Sequence, residues 1–401
     1  MRRHLHLNAF ALVLCTLTLA ATVRAEDWPQ WRGPNHDGIS SAKDLVTKWD
    51  AKPPVVWERE IGSAFSAVTC VGDKVYTCGT RDKQQTLLCL AAADGRIVWQ
   101  QPFEKEYRDR QGGDGTRATP TVNDGKVYIH TPRGRMICFD ATDGQELWSR
   151  QFNAKPQWGY SGSVLIEGGL AVIVAGADDG GLIAVDKETG KTKWKTSPTK
   201  ISYATPYPFT YKDRRYIVGF LAKSAIIVEA KTGREVCDIP WETSWDVNAA
   251  TPIYHDGHLF LSSGYKHGAI LLRLSRKGNK LGAETAWQNT SIRAKFQTPV
   301  LYEGHLYTSD EVGLKCIEFA TGTEKWSRPR MKHGTVVIAE GNLFVLTEGG
   351  KLLIGPVTPT SFEPQTEVEI LGGRCWTVPT LCNGRLYARN FDRVTCLKLA
   401  R

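Results

Sequence analysis

The chain has 401 residues, 41% of them hydrophobic and 23% charged, with a formal net charge of +9. The basic excess is scattered along the chain rather than gathered into a stripe, which argues against a nucleic-acid partner. Ten cysteines would suit a disulfide framework, but no C-x-x-C or C-x-x-C-H occurs, so zinc-ribbon and c-type haem sites are excluded.

Residues 1–25 read as an export signal: Arg2-Arg3, an apolar run from Ala9 to Ala21, and a small-residue cleavage site at Val23-Arg24-Ala25. The run is too short for a membrane span. Cys15 follows Leu14, which is large where a lipidation signal wants a small residue. Without the signal, which holds three arginines and no acid, the charge is +6 and nine cysteines remain. Residues 26–52 form a lead-in that begins Asp27-Trp28-Pro29-Gln30-Trp31-Arg32-Gly33-Pro34.

From residue 53 onward one phrase returns. Residues 119–150 contain two turn signals, Asp124-Gly125 and Asp143-Gly144, between short apolar stretches, and close on Trp148. Asp-Gly between apolar runs is a strong hairpin signal, because Gly adopts positive φ without steric cost. The phrase therefore predicts a four-stranded antiparallel meander, too small to bury both faces without neighbours. Its second-strand signal recurs at Gly72-Asp73, Asp256-Gly257, Glu303-Gly304, Glu340-Gly341 and Asn383-Gly384, with degenerate copies at Gly168-Gly169 and Lys212-Asp213. The closing signal recurs as Asp94-Gly95 to Trp99, Thr189-Gly190 to Trp194 and Thr321-Gly322 to Trp326, whereas Thr232-Gly233 leads to Cys237.

Eight units follow, starting near residues 66, 119, 161, 204, 250, 296, 334 and 377. The last stops without a fourth strand, and a Trp-bearing strand at 53–60 stands ahead of the first. Splicing that strand into the last unit closes a ring and leaves no free edge between its ends. The predicted fold is all-β: an eight-bladed propeller of four-stranded antiparallel blades over residues 53–401. Cys89, Cys138, Cys316 and Cys396 share one slot in the third strand, where a small apolar residue suits a packed core. Cys70, Cys78, Cys375 and Cys382 are the disulfide candidates.

The phrases Ala141-Thr142-Asp143-Gly144 to Trp148, Asp186 to Trp194 and Ala320-Thr321-Gly322 to Trp326 resemble the repeats of the pyrroloquinoline-quinone-like family of β-propellers. The resemblance covers about residues 53–401 and implies that the tryptophans dock between blades. The family holds quinoprotein dehydrogenases, which bind the quinone and Ca²⁺ in the funnel of the ring. It also holds non-enzymatic scaffolds such as the B subunit of the outer-membrane barrel-assembly machinery. The dehydrogenases carry an adjacent Cys-Cys pair, and no two cysteines are adjacent here, so none of their calcium or catalytic residues is transferred.

The register of the repeats places a candidate site. Three residues before the slot held by Pro120, Pro206, Pro252 and Pro299, the eight units give Phe65, Arg117, Tyr160, Tyr203, Ala249, Phe296, His333 and Trp376. One or two positions earlier stand Trp158, Asn248, Lys295 and Arg374. Aromatic rings with a few cations can clasp a planar anion, although an inner strand also plugs a tapering channel with such residues. The link Glu104 to Gly115, charged and Gly-rich, is expected over the funnel face. The Asp178-Asp179 loop offers too few oxygens for Ca²⁺, and the histidines show no metal spacing.

The reading that results is an exported binding or scaffold module of the periplasm or cell envelope, with envelope proteins or a small planar or sugar ligand as partners. The alternative is an alcohol or sugar dehydrogenase dependent on pyrroloquinoline quinone and Ca²⁺. A glycan hydrolase would need paired carboxylates at defined spacing, which the funnel positions do not supply.

Overall fold

The structure is a computed structural model that describes residues 27–331 and 333–401. The expected export signal lies outside the described residues. Those residues form eight antiparallel sheets in chain order, each of four strands before any addition. One blade consists of Thr121–Asn123, Lys126–His130, Arg135–Asp140 and Glu146–Gln151. Its first hairpin turns on Asp124 and Gly125, both at positive φ (48° and 72°), the geometry expected of a two-residue Asp-Gly turn.

Burial follows position in the blade. The two middle strands carry consecutive buried side chains, as in Val127, Tyr128 and Ile129 or Met136 to Phe139, because neighbouring blades cover both of their faces. The outer strand Glu146–Gln151 has one exposed face and shows the polar alternation that goes with it.

Tryptophans hold the blades together. The indole N–H of Trp57 donates to the Ala92 carbonyl of the next blade at 2.9 Å, and Trp99, Trp148, Trp194, Trp287 and Trp326 do the same to Ala141, Lys187, Ala230, Phe319 and Thr358 at 2.9 to 3.2 Å. Five of these rings lie on the turn glycine of the neighbouring blade. Gly95, at φ 68°, is one: a Cβ there would come 2.5 Å from the Trp57 ring. Gly95→Ala is therefore expected to destabilise the chain by about 1–3 kcal/mol, since it adds backbone strain to a clash. A urea melt checks this, and a loss below the error of the melt would sink the docking account. In the fourth blade Cys237 stands where the indole would be, and the extended hairpin Gly268–Lys277 with Lys280–Asn289 packs beside that blade instead.

Closure occurs as the orphan strand predicts. Val55–Glu60 pairs antiparallel with Arg393–Lys398, completing the blade formed with Thr380–Cys382 and Arg385–Arg389. No disulfide joins the nine cysteines among the described residues, the candidates Cys70, Cys78, Cys375 and Cys382 included. Burial explains this quiet chemistry: it pushes the Cys78 and Cys375 thiols up to about 12.

The lead-in does more than precede the ring. Trp28 bridges to Cys70 in the first blade, and the Val122 N–H of the second donates to the Pro29 carbonyl at 2.8 Å. Ile39–Ser40 then pairs in parallel with Ile338 and Ala339, adding a fifth strand to the seventh blade. The segment thus crosses from one side of the ring to the other and corks the axial channel. Arg32, buried, fixes the crossing by donating to the carbonyls of Thr298 and Pro299 at 3.2 and 2.8 Å and to those of His36 and Asp37 at 3.0 and 2.8 Å.

Candidate functional site

The inner strands are held at a common height by a belt of hydroxyls. The Ala67 N–H donates to Thr119 Oγ1, the Thr119 N–H to Ser163 Oγ, the Ser163 N–H to Thr205 Oγ1 and the Thr251 N–H to Thr298 Oγ1, at 2.9 to 3.2 Å. The residue two positions before each belt member consequently points into the funnel, which is the register argued from sequence. Above the belt lies a cavity of about 370 Å³. Its wall includes seven aromatic residues (Trp31, Phe65, Trp158, Tyr203, Tyr265, Phe296 and Trp376), the two cations Arg117 and Lys295, and no carboxylate.

Two aromatic walls face each other. On one, Phe65 stacks on Trp376 at 5.5 Å and Phe296 meets Trp376 at 5.0 Å. On the other, Trp158 lies 5.7 Å from Tyr203, whose hydroxyl is pushed up to about 12 by burial and so stays a neutral donor. The floor is Trp31 of the lead-in, whose indole N–H donates to Thr251 Oγ1 at 2.9 Å. Sequence reasoning missed this residue, and 220 positions separate it from its hydrogen-bond partner.

The two cations are unequal. Arg117 lies over the Tyr107 ring at 4.6 Å and pairs with Asp109 at 3.1 Å. It also donates to the Gly113 and Gly115 carbonyls, so most of its donors serve the loop. Burial lowers its pKa, opposed by Tyr107 and Asp109. The Lys295 ammonium lies 4.7 Å from the Tyr265 ring centre. The loop 106–116 lies over the mouth, as its composition led us to expect. Gly113 rests against Phe65, where a Cβ would come within 2.6 Å, and Gln111 Oε1 accepts from the Trp158 indole at 3.0 Å.

Seven of the eleven residues named from sequence line this cavity: Phe65, Arg117, Trp158, Tyr203, Lys295, Phe296 and Trp376. His333 backs the wall, stacked on Phe296 at 5.4 Å, and Arg374 lies over the Trp376 ring at 4.4 Å. Two require correction. Tyr160 is 2% exposed and donates its hydroxyl to the Ala175 carbonyl inside the blade, while Ser161 occupies the funnel position. The third unit has Val164 in the slot that Pro marks in several others, and the count from sequence lands one residue early, on a side chain of the opposite face, while Ser163 keeps the belt. Asn248 is fully buried: its amide donates to the Leu221 carbonyl at 2.7 Å and accepts from Ser263 and Thr243.

Ca²⁺ takes roughly six to eight oxygen ligands, carboxylates prominent among them, and the cavity wall provides no carboxylate. Among the described residues no group of three or more His, Cys, Asp or Glu could hold a metal ion. The metal does not fit this funnel.

The architecture and its corked, aromatic funnel define an eight-bladed propeller of the pyrroloquinoline-quinone-like class. Within it, the chain belongs to the family described as outer membrane protein assembly factor BamB, whose profile matches residues 42–280 and 170–355. It is 28% identical over 159 residues to outer membrane protein assembly factor BamB of Burkholderia pseudomallei, covering 39% of each chain. It is 35% identical over 109 residues to the quinohemoprotein alcohol dehydrogenase ADH IIB of Pseudomonas putida, covering 26% of this chain and 16% of the other. The chain thus spans less than half the length of either relative. Among solved structures, BamB from Moraxella catarrhalis superposes with a TM-score of 0.62 at 16% identity over 86% of this chain and all of the other. The quinohemoprotein alcohol dehydrogenase ADHIIG from Pseudomonas putida HK5 gives 0.65 at 16% identity over 93% and 80%. Both likenesses are of fold.

Proposed function

We propose that the chain is an exported, non-catalytic binding module of the cell envelope, in which the ring scaffolds protein partners and the funnel receives a small planar anion. The observation that carries this reading is the composition of the funnel: aromatic walls and floor, Lys295 beside an aromatic ring, and, among the described residues, no carboxylate in the lining. Rings stack on a flat ligand and the ammonium meets its negative charge. A sugar would ask for carboxylates and amides to hold its hydroxyls, and Gln111 is the one amide in the lining. Membership of the BamB family supports an envelope location and envelope proteins as partners. No helix of the described residues is long and apolar enough to cross a membrane.

The test uses two probes on pure protein, wild type beside a Phe65→Ala/Trp376→Ala double variant. The planar anion 8-anilinonaphthalene-1-sulfonate is expected to bind the wild type and to lose at least about tenfold in affinity in the variant, since each lost aromatic contact is worth about 1 kcal/mol. Pyrroloquinoline quinone is followed with Ca²⁺ and with chelator. Saturable binding that requires Ca²⁺ would overturn this reading in favour of the dehydrogenase, whereas Ca²⁺-independent binding of either probe in the funnel agrees with it.

A further inference from the structure

Beside the funnel, on the rim of the fourth and fifth blades, the turn Ser244–Asp246 presents Trp245, 65% exposed and the most exposed large apolar side chain among the described residues. Its backbone is in the left-handed region at φ 67°, and Asp246 follows at φ 57°. Two successive non-glycine residues there are strained. The strain is held from both flanks: Ser202 Oγ donates to the Asp246 carbonyl at 2.6 Å, and the Asp246 carboxylate pairs with Lys200 and Lys223. A glycine would relax the turn, yet the chain spends an indole here, in water and outside the blade cores.

Next to the indole is an open cleft of about 510 Å³, with Tyr265, Lys266, Arg293 and Glu311 in its wall. The carboxylate of Glu311 is already used, accepting from the backbone N–H groups of Tyr265 and Lys266 at 2.7 and 3.1 Å. The Lys266 side chain stands exposed, and Arg293 keeps a buried Nε without a partner. A guanidinium in the cleft wall, an exposed ammonium and a displayed indole together suit a carboxylate beside an apolar residue.

We propose that this cleft docks a short acidic segment of a partner protein, with a carboxylate on Arg293 and Lys266 and an apolar residue against Trp245. The proposal rests on reading the chain as an envelope binding module, and it names the chemistry of the partner. Arg293 lines the cleft wall behind the exposed Trp245 and Lys266, within reach of a single side-chain carboxylate, which favours a peptide over an anionic lipid surface, for which a displayed indole beside lysines would otherwise serve.

The experiment is a selection from a random twelve-residue peptide library on the wild-type protein, counter-selected on Trp245→Ala. Acidic peptides are expected to be enriched. Synthesised and followed by fluorescence anisotropy, they should weaken at least tenfold in Trp245→Ala and several-fold in Arg293→Gln, and keep their affinity in the Phe65→Ala/Trp376→Ala variant. Trp245→Gly should likewise lose binding while melting at a higher temperature than wild type, which separates a docking role from a folding one. Failure to enrich acidic peptides that depend on Trp245 overturns the proposal, as does Trp245-dependent binding to phosphatidylglycerol vesicles in its place. Peptides that instead depend on Phe65 and Trp376 would remove this site while leaving the binding-module reading intact.

Discussion

Arg389→Met is expected to lower the unfolding free energy by about 3–5 kcal/mol, the summed cost of leaving several buried oxygens without their donor at roughly 1–3 kcal/mol each. Arg389 is 1% exposed and sits at the seam where the last blade meets the first. Its Nη1 donates to the carbonyls of Ser66 and Cys78 at 2.8 and 2.9 Å and to Thr77 Oγ1 at 3.0 Å. Its Nη2 donates to the Ala64 and Phe391 carbonyls at 3.0 and 3.2 Å, and its Nε to the Asn390 carbonyl at 3.1 Å. No carboxylate is among these partners, so carbonyl dipoles replace the water that burial removes. Burial lowers the pKa to about 10, and the group remains charged at neutral pH. Methionine keeps much of the volume but returns none of the donors, leaving buried oxygens on both sides of the seam without their partner. Arg393→Met, in contrast, removes a partly exposed pair with Glu60 at 2.9 Å and should cost under about 1 kcal/mol. Urea unfolding of both variants gives the comparison. Equal losses would mean that the guanidinium network contributes nothing to closure beyond an ordinary surface ion pair.

The ring itself was legible because its evidence is redundant. Asp-Gly turns and closing tryptophans recur every forty to fifty residues, and the strand at 53–60 is completed by a unit that lacks one. The funnel was legible where a Thr-Pro pair fixed the register, as at Thr119-Pro120 and Thr298-Pro299, because the threonine is a member of the hydroxyl belt. In the third unit the belt is kept by Ser163, a weaker sequence signal, and the count landed on Tyr160 instead of Ser161. Asn248 illustrates a second failure. It directly precedes Ala249, a funnel position, so its side chain turns into the blade and closes hydrogen bonds there. Lys295 also directly precedes a funnel position, Phe296, yet lines the cavity, so alternation alone does not decide which side chains ahead of the inner strands turn inward. Trp31 was not legible at all, since its place depends on a chain crossing that no local pattern encodes.

Acid is expected to destabilise the protein through His130. Its ring is 1% exposed, 4.5 Å from the Tyr160 ring and edge-on to Phe152. Nδ1 lies 3.3 Å from the Gly162 carbonyl, so in the neutral ring it is the donor, and Nε2 is buried without a partner. Burial holds the pKa down to about 4, against an ordinary 6.5. His36 in the lead-in is also lowered to about 4, by burial first and then by Arg215 and Arg32. Above pH 6.5 each ring is neutral whether the chain is folded or not, and the contribution to stability is fully present. Between pH 6.5 and 4 the unfolded chain binds a proton that the folded chain refuses, so stability is lost as pH falls. For His130 the loss should reach about 2–3 kcal/mol near pH 4.5. His130→Gln retains a donor and cannot titrate. It is expected to be less stable than wild type at pH 7, from poorer packing against Tyr160, and to close that gap or reverse it by pH 4.5. Thermal melts of the two proteins across this range decide the matter: converging curves assign the proton to His130, and parallel curves would move the acid sensitivity elsewhere in the ring.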